Sequence, residues 1–264
     1  MRTATLCLLT MALAVSGPAA IGGRAQPAPP STPVLVELFT SEGCSDCPAA
    51  DIVLERLLAT QPVAGAAIVG LGQHVDYWDR QGWKDRFSSA AFTNRQQIYG
   101  ARFNLESVYT PQIVVDGRAQ LVGSDDGAAR RAIARAAAAP HGVVAIDLLR
   151  DDAKKIALRV SVDHLPPMNR GGRADVVVAI TEDQLRTEVK RGENQGRTLT
   201  HAAVVRSMTT IGRAAGEGTA SARADVALGD GWQRDRLSIV AFVQDQRAGT
   251  ILASASRPLE TGRR

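Results

Sequence analysis

Val34-Leu35-Val36-Glu37-Leu38-Phe39-Thr40-Ser41-Glu42-Gly43-Cys44-Ser45-Asp46-Cys47-Pro48 holds the turning point of this chain. Val34 to Phe39 is a short apolar run, which predicts a buried strand. Thr40 to Gly43 reads as a loop. Val53/Leu57 and Leu54/Leu58 then stack one turn apart, predicting a helix from about Ser45 to Thr60. Pro48 is tolerated there only because it falls near the first turn. Two cysteines therefore stand where strand gives way to helix. Their spacing sets the sulfurs one helical turn apart, close enough to bridge. Unpaired backbone N–H groups and the helix dipole at that point favour a thiolate on the first cysteine. A thiolate attacks disulfides, and a second cysteine resolves the mixed disulfide.

Working outward, Ala66 to Leu71 is a second apolar strand. Residues 73–109 carry 8 of the 11 aromatic residues of the chain and break the alternation of elements. Phe92, Gln96 and Tyr99 recur at helical spacing, and Gly100 reads as a helix stop. This segment is expected to be an insertion, mostly helical. Gln112 to Val115 and Ala119 to Val122 flank Asp116-Gly117, a hairpin signal. Ser124-Asp125-Asp126 caps an Ala-rich helix to about Ala139. Pro140-His141-Gly142 reads as a domain boundary. Beyond it, Ile156, Leu158, Val160 and Val162 alternate with Ala157, Arg159 and Ser161, and residues 220–228 alternate in the same way. Strand-like runs also cover 143–149, 174–181, 199–211, 237–243 and 250–255. This pattern predicts an antiparallel sheet or sandwich.

Strand, C-x-x-C, helix, strand, then Thr110-Pro111 before a hairpin and a helix resembles the thioredoxin superfamily over residues 34–139. The resemblance implies Cys44 as nucleophile and Cys47 as resolving thiol. It also implies a cis bond at Thr110-Pro111, forming a platform that pairs with an extended substrate. Trp78 and Tyr109 would line the site. Val36 to Pro48, His74-Val75-Asp76-Tyr77-Trp78-Asp79, Thr93-Asn94-Arg95-Gln96, Tyr109-Thr110-Pro111-Gln112 and Gly192-Glu193-Asn194-Gln195-Gly196-Arg197 carry a closer likeness. Through them the chain resembles one branch, bacterial secreted proteins catalogued as domain of unknown function 1223. The expected fold is α/β. A thioredoxin-like domain at 34–140, with its insertion at 73–109, precedes a mainly antiparallel β domain at 141–258 and a tail at 259–264.

The cysteine pair stays open to three readings. The first is thiol–disulfide exchange on protein thiols or disulfides outside the cytoplasm, with no cofactor required. The second is copper or zinc handling by Cys44, Cys47 and His74, since two thiolates and an imidazole suit either ion. The third is a binding module with a structural disulfide. Glu42, Asp46 and Asp51 surround the cysteines, and nearby carboxylates raise a thiol pKa and oppose the helix dipole. The 192–197 stretch reads either as a ligand loop or as a turn between strands. His201 and Arg206 read as strand-surface residues. His141 and His164 show no partner.

Composition narrows the remaining classes. Of 264 residues, 45% are apolar and 22% charged, the balance of a chain with a sizeable core. Met1-Arg2, an apolar stretch from Leu6 to Val15 and a small-residue exit read as a signal peptide over 1–25, giving a periplasmic or secreted protein. Residues 26–33 are a Pro-rich linker. Removing 1–25 takes away Arg2 and Arg24 and no acid. The 31 basic residues become 29 against 27 acids, and the net charge falls from +4 to +2. So small an excess, with no basic stripe, excludes a nucleic-acid footprint. No run beyond residue 25 approaches the roughly 20 apolar residues of a membrane helix. Only Cys44 and Cys47 remain after cleavage, in a compartment where disulfides persist.

Overall fold

The computed structural model describes residues 31–168, 171–215 and 218–259. The signal-peptide expectation lies outside these residues, as does most of the Pro-rich linker. Thr32 and Pro33, the end of that linker, are already in the first strand. The chain is mixed α/β, with thirteen strands and three helices among the described residues.

The first half runs β1 (Thr32–Thr40), α1 (Cys47–Thr60), β2 (Ala66–His74), α2 (Ala90–Arg102), β3 (Gln112–Val115), β4 (Ala119–Val122) and α3 (Asp126–Ala137). The second half is strands and turns: β5 (Val143–Asp152), β6 (Lys155–Asp163), β7 (Arg173–Glu182), β8 (Leu185–Glu188), β9 (Thr198–His201), β10 (Val204–Ala215), β11 (Ala220–Ala227), β12 (Leu237–Asp245) and β13 (Ile251–Pro258). Eight strands form one sheet in the order β13-β12-β7-β10-β2-β1-β3-β4. β1 and β2 are parallel, and β10 joins β2 in parallel through Val204 and Gly72. The other pairs in the sheet are antiparallel. β11-β6-β5 and β8-β9 make two smaller sheets.

Side-chain alternation sorts the core. Val34, Val36 and Leu38 point toward α1 and α3. Leu35 points to the other face, with Phe92 of α2 and with Val177 and Val205 of the second half. A strand covered on both sides must be apolar throughout, which is why β1 reads as a continuous run. On the second half, β11-β6-β5 covers the face opposite α2, the same side of the sheet as α1 and α3, packing Leu158 and Val160 against Val176, Val178 and Ile239.

The joint between the halves depends on a missing side chain. A Cβ on Gly72 would meet the Ala202 carbonyl oxygen at 2.9 Å, and its N–H donates to the Ala203 carbonyl at 2.7 Å. A larger residue would push β10 away from β2.

Asp116 and Gly117 have φ of 48° and 60°, the positive pair of a primed turn, and the Arg118 N–H closes it on the Val115 carbonyl at 2.9 Å. It pins β3 and β4 at the predicted residues. α3 starts at its predicted cap, where Asp125 Oδ1 accepts from the Ala128 N–H at 2.8 Å.

Three expectations are corrected. The run 199–211 is two strands in different sheets, separated by Ala203 at φ 49°. Gly100 does not end α2. A Cβ there would meet Val108 Cγ1 at 2.9 Å, so the glycine makes room for the returning chain. His141 does have partners. It bonds the Ala139 carbonyl and Asp116 Oδ2, both at 2.8 Å, and Asp116 Oδ1 accepts from the Leu35 N–H at 2.7 Å.

Candidate functional site

Cys44 and Cys47 form a disulfide at the start of α1, with Cα atoms 5.4 Å apart. The turn is tied locally: the N–H groups of Cys44 and Cys47 donate to the carbonyls of Ser41 and Cys44, both at 3.3 Å. Pro48 sits in the first turn of the helix, where its missing N–H costs nothing.

The sequence-predicted site residues converge here. The Thr110–Pro111 bond is cis. Cys44 Sγ lies 4.0 Å from the Thr110 carbonyl oxygen. Trp78 Nε1 donates to Thr110 Oγ1 at 2.8 Å, and the start of the same side chain packs over Gly43, whose absent Cβ would lie 3.2 Å from Trp78 Cβ. Tyr109 donates its hydroxyl to Gln120 on β4. Gln96 of α2 steadies the turn from behind, donating to the Tyr109 carbonyl at 2.7 Å and to Gln112 Oε1 at 3.0 Å. Thr93 is held to Asp76 by a 2.6 Å bond.

His74 is placed differently. Its Nδ1 meets Asp85 Oδ2 at 2.6 Å, and its ring stands edge-on to His201, centroids 4.8 Å apart. Among the described residues there is no group of three or more His, Cys, Asp or Glu arranged to hold a metal ion.

Beneath the disulfide lies a buried charge cluster. His201 is 3% exposed, correcting its reading as a surface residue. Its Nε2 is 3.4 Å from Glu42 Oε1 and its Nδ1 is 3.5 Å from Asp51 Oδ2. Burial works against the imidazolium, but hydrogen bonding and charge from Asp51 and Glu42 prevail and push its pKa up to about 10. His201 is thus cationic at neutral pH and offsets two of the carboxylates that crowd the cysteines. Glu42 also accepts from Trp83 Nε1 at 2.7 Å. Asp85 ties in by accepting from the Glu42 N–H at 2.9 Å. Burial raises the Asp85 pKa, but His74 and two backbone N–H groups outweigh it, and the net shift is downward.

Sequence reasoning left open whether 192–197 was a ligand loop or a turn. It is a clamp. Asn194 is fully buried, and its Nδ2 donates to the carbonyls of Glu42 at 2.9 Å and Cys44 at 2.8 Å. Glu193 Oε2 accepts from the Ser45 N–H at 3.0 Å. Arg197 Nη1 donates to Asn194 Oδ1 at 3.0 Å, which aims the amide. A loop from the second half therefore holds the C-x-x-C turn, and Cys44 is only 2% exposed. The two glycines framing the loop, Gly192 and Gly196 at φ 76° and 81°, were the available sign of a shaped backbone.

A second buried network joins the halves behind the site. Glu37 receives Arg95 Nη2 at 2.9 Å, the Tyr99 hydroxyl at 2.6 Å and Gln73 Nε2 at 2.7 Å, and Gln244 of β12 donates to Tyr99 at 2.9 Å. Arg95 Nε adds a fourth donor to Glu37 Oε2 at 2.5 Å, so each oxygen of that carboxylate receives two donors, as a buried charge requires.

The comparisons agree with this architecture. A crystal structure of protein AGR_C_4864 from Agrobacterium tumefaciens is similar, with TM-score 0.68 and 25% identity over 89% of this chain and 98% of that one. HBP35 of Porphyromonas gingivalis shares the fold, with TM-score 0.60 and 14% identity over 88% of this chain and 76% of that one. No curated protein matches the chain. The family model described as protein of unknown function (DUF1223) matches residues 35–244, and the chain belongs to that family.

Proposed function

We propose that residues 34–140 are a thioredoxin-like unit and that Cys44 and Cys47 exchange electrons with thiols or disulfides of proteins in the periplasm or outside the cell. The observation that carries this reading is the placement of Cys44 Sγ 4.0 Å from the carbonyl of the cis Thr110–Pro111 turn. Such a turn presents a backbone edge to an extended peptide beside the reacting sulfur. The order β4-β3-β1-β2, with the cysteines between β1 and α1, supports it further.

In the reducing direction, the Cys44 thiolate attacks one sulfur of a substrate disulfide. A Cys44–substrate disulfide forms, and the other substrate sulfur leaves as a thiolate. The Cys47 thiolate then attacks Cys44 Sγ, closing the Cys44–Cys47 disulfide and releasing the second substrate thiolate. The substrate gains the two electrons the cysteine pair loses. The oxidising direction is the reverse. Pro111 shapes the platform, and Thr110, Trp78 and Tyr109 line it.

Trapping tests this. The reduced Cys47→Ala variant mixed with insulin should accumulate a mixed disulfide at Cys44 that dithiothreitol releases. A Cys44→Ala variant should accumulate none at Cys47. No adduct on Cys44 within hours overturns the reading. One observation favours a second reading, a binding module whose disulfide is structural: Cys44 is nearly buried, and Asn194 holds its carbonyl. That reading predicts the empty trap.

A further inference from the structure

A cleft of about 910 Å³ opens on the opposite flank of α2, between that helix and the sheet face of β7, β10 and β12. Its size falls in the range of about 300–1,000 Å³ typical of small-molecule sites. Phe92, Val177, Val205 and Met208 give it an apolar floor, and Ile98 stands on its wall 53% exposed. Val205 and Met208 are three residues apart yet pack in one cluster. A regular strand would turn them to opposite faces. The bulge between Val205 and Ser207 brings them together, and a second lies between Thr210 and Gly212. Bulges of this kind re-aim side chains beside sites.

One end of the cleft is cationic and aromatic. Arg86 lies over the Phe87 ring at 4.6 Å, while Arg206 stacks on Phe87 at 5.3 Å and on Trp232 at 5.2 Å. Arg206 is paired with Glu182 at 2.8 Å. Among the described residues Arg86 donates only to the Arg186 carbonyl, at 2.8 Å, and has no carboxylate within ion-pairing distance. The acids on the cleft wall, Asp175 and Asp245, are engaged elsewhere. Asp245 accepts from the N–H groups of Arg247 and Ala248, and Asp175 from Gln246 Nε2. The Arg86–Arg206 end thus carries one guanidinium charge more than its carboxylates neutralise, beside two aromatic rings and above an apolar floor.

The geometry points to this cleft as a binding site for a free small organic anion with an apolar body. Its carboxylate, sulfonate or phosphate group would rest on Arg86 and the outer edge of Arg206. Its chain or ring would lie between Ile98 and Met208. The site is separate from the disulfide and does not depend on redox activity.

The test is a fluorescence titration of the purified full chain with 1-anilinonaphthalene-8-sulfonate. The expected result is saturable one-to-one binding, displaced by dodecanoate and not by dodecyltrimethylammonium. Arg86→Glu should weaken it at least about tenfold. Ser207→Trp, which fills the cleft, should abolish it. A Cys44→Ser/Cys47→Ser variant should bind as the parent does. Arg86→Gln serves if the charge reversal fails to fold, and the two competitors test the parent without any substitution. Absence of saturable binding overturns the proposal. So does displacement by the cation as readily as by the anion, or a signal indifferent to both Arg86→Glu and Ser207→Trp.

Discussion

The two flanks of α2 are built in opposite ways. Toward the disulfide, polar groups from four distant stretches close on one another: Glu42, Asp85, Asn194 and His201 are all buried, Asp85 and Asn194 hydrogen-bonded to the 42–44 backbone and His201 within 3.4 Å of Glu42. Toward the cleft, Arg86 faces the open space with no carboxylate among the described residues. Closure holds a reacting group in a fixed geometry but restricts access to it. An open wall with an uncompensated charge holds nothing fixed and leaves room for a ligand. The chain thus separates a sealed, position-keeping region from an open cleft, with Phe87 between them, packed on His74 and His201 on one side and under Arg86 and Arg206 on the other.

Substitutions can break this contrast, and the largest effect is expected at Arg95. Arg95→Ala leaves Glu37 buried without its cation. Losing one partner of a buried pair costs about 3–5 kcal/mol, which urea unfolding of the oxidised protein would register. Next is Asn194→Ala, which orphans the buried carbonyls of Glu42 and Cys44. The expected loss is about 1–3 kcal/mol. It should come with faster reduction of the disulfide by dithiothreitol, since the clamp no longer covers Cys44. Slower or unchanged reduction would detach the clamp from access.

The pH dependence sharpens the same contrast. His201 binds its proton more tightly in the folded state, up to about 10 against an ordinary 6.5. Its contribution is therefore complete below pH 6.5 and disappears as pH rises through about 10. The slope attributable to it reaches at most about 1.4 kcal/mol per pH unit. Urea midpoints of the oxidised protein should fall across that window, and His201→Gln should flatten the decline. The smallest effect is expected for Trp78→Phe. It deletes one hydrogen bond to Thr110, worth about 1 kcal/mol, and should slow exchange more than it lowers the melting temperature.

Much of the fold was legible from local pattern. β3, β4 and the start of α3 lie where a primed turn and an Asp cap put them, because those signals act over a few residues. Cys44, Thr110 and Trp78 were legible through the resemblance, and they do meet. His201 was not. Alternation over 199–211 shows which residues share a face but not what covers that face, and the break at Ala203 is a backbone event without a glycine or proline to announce it. Asn194 was missed for a related reason. A polar residue in a glycine-framed loop reads as solvated, and its burial comes from carbonyls 150 and 152 residues earlier in the chain. Glu37 and Arg95 are likewise a pair that periodicity cannot connect.

The central claim is that the disulfide is a working redox couple. Equilibrating the protein in graded thiol–disulfide buffers and counting free thiols with an alkylating mass tag tests it directly. The account predicts a reversible two-electron transition between about −120 and −270 mV, the span of known exchange catalysts. A disulfide that stays closed below about −300 mV is a structural clip and would contradict it.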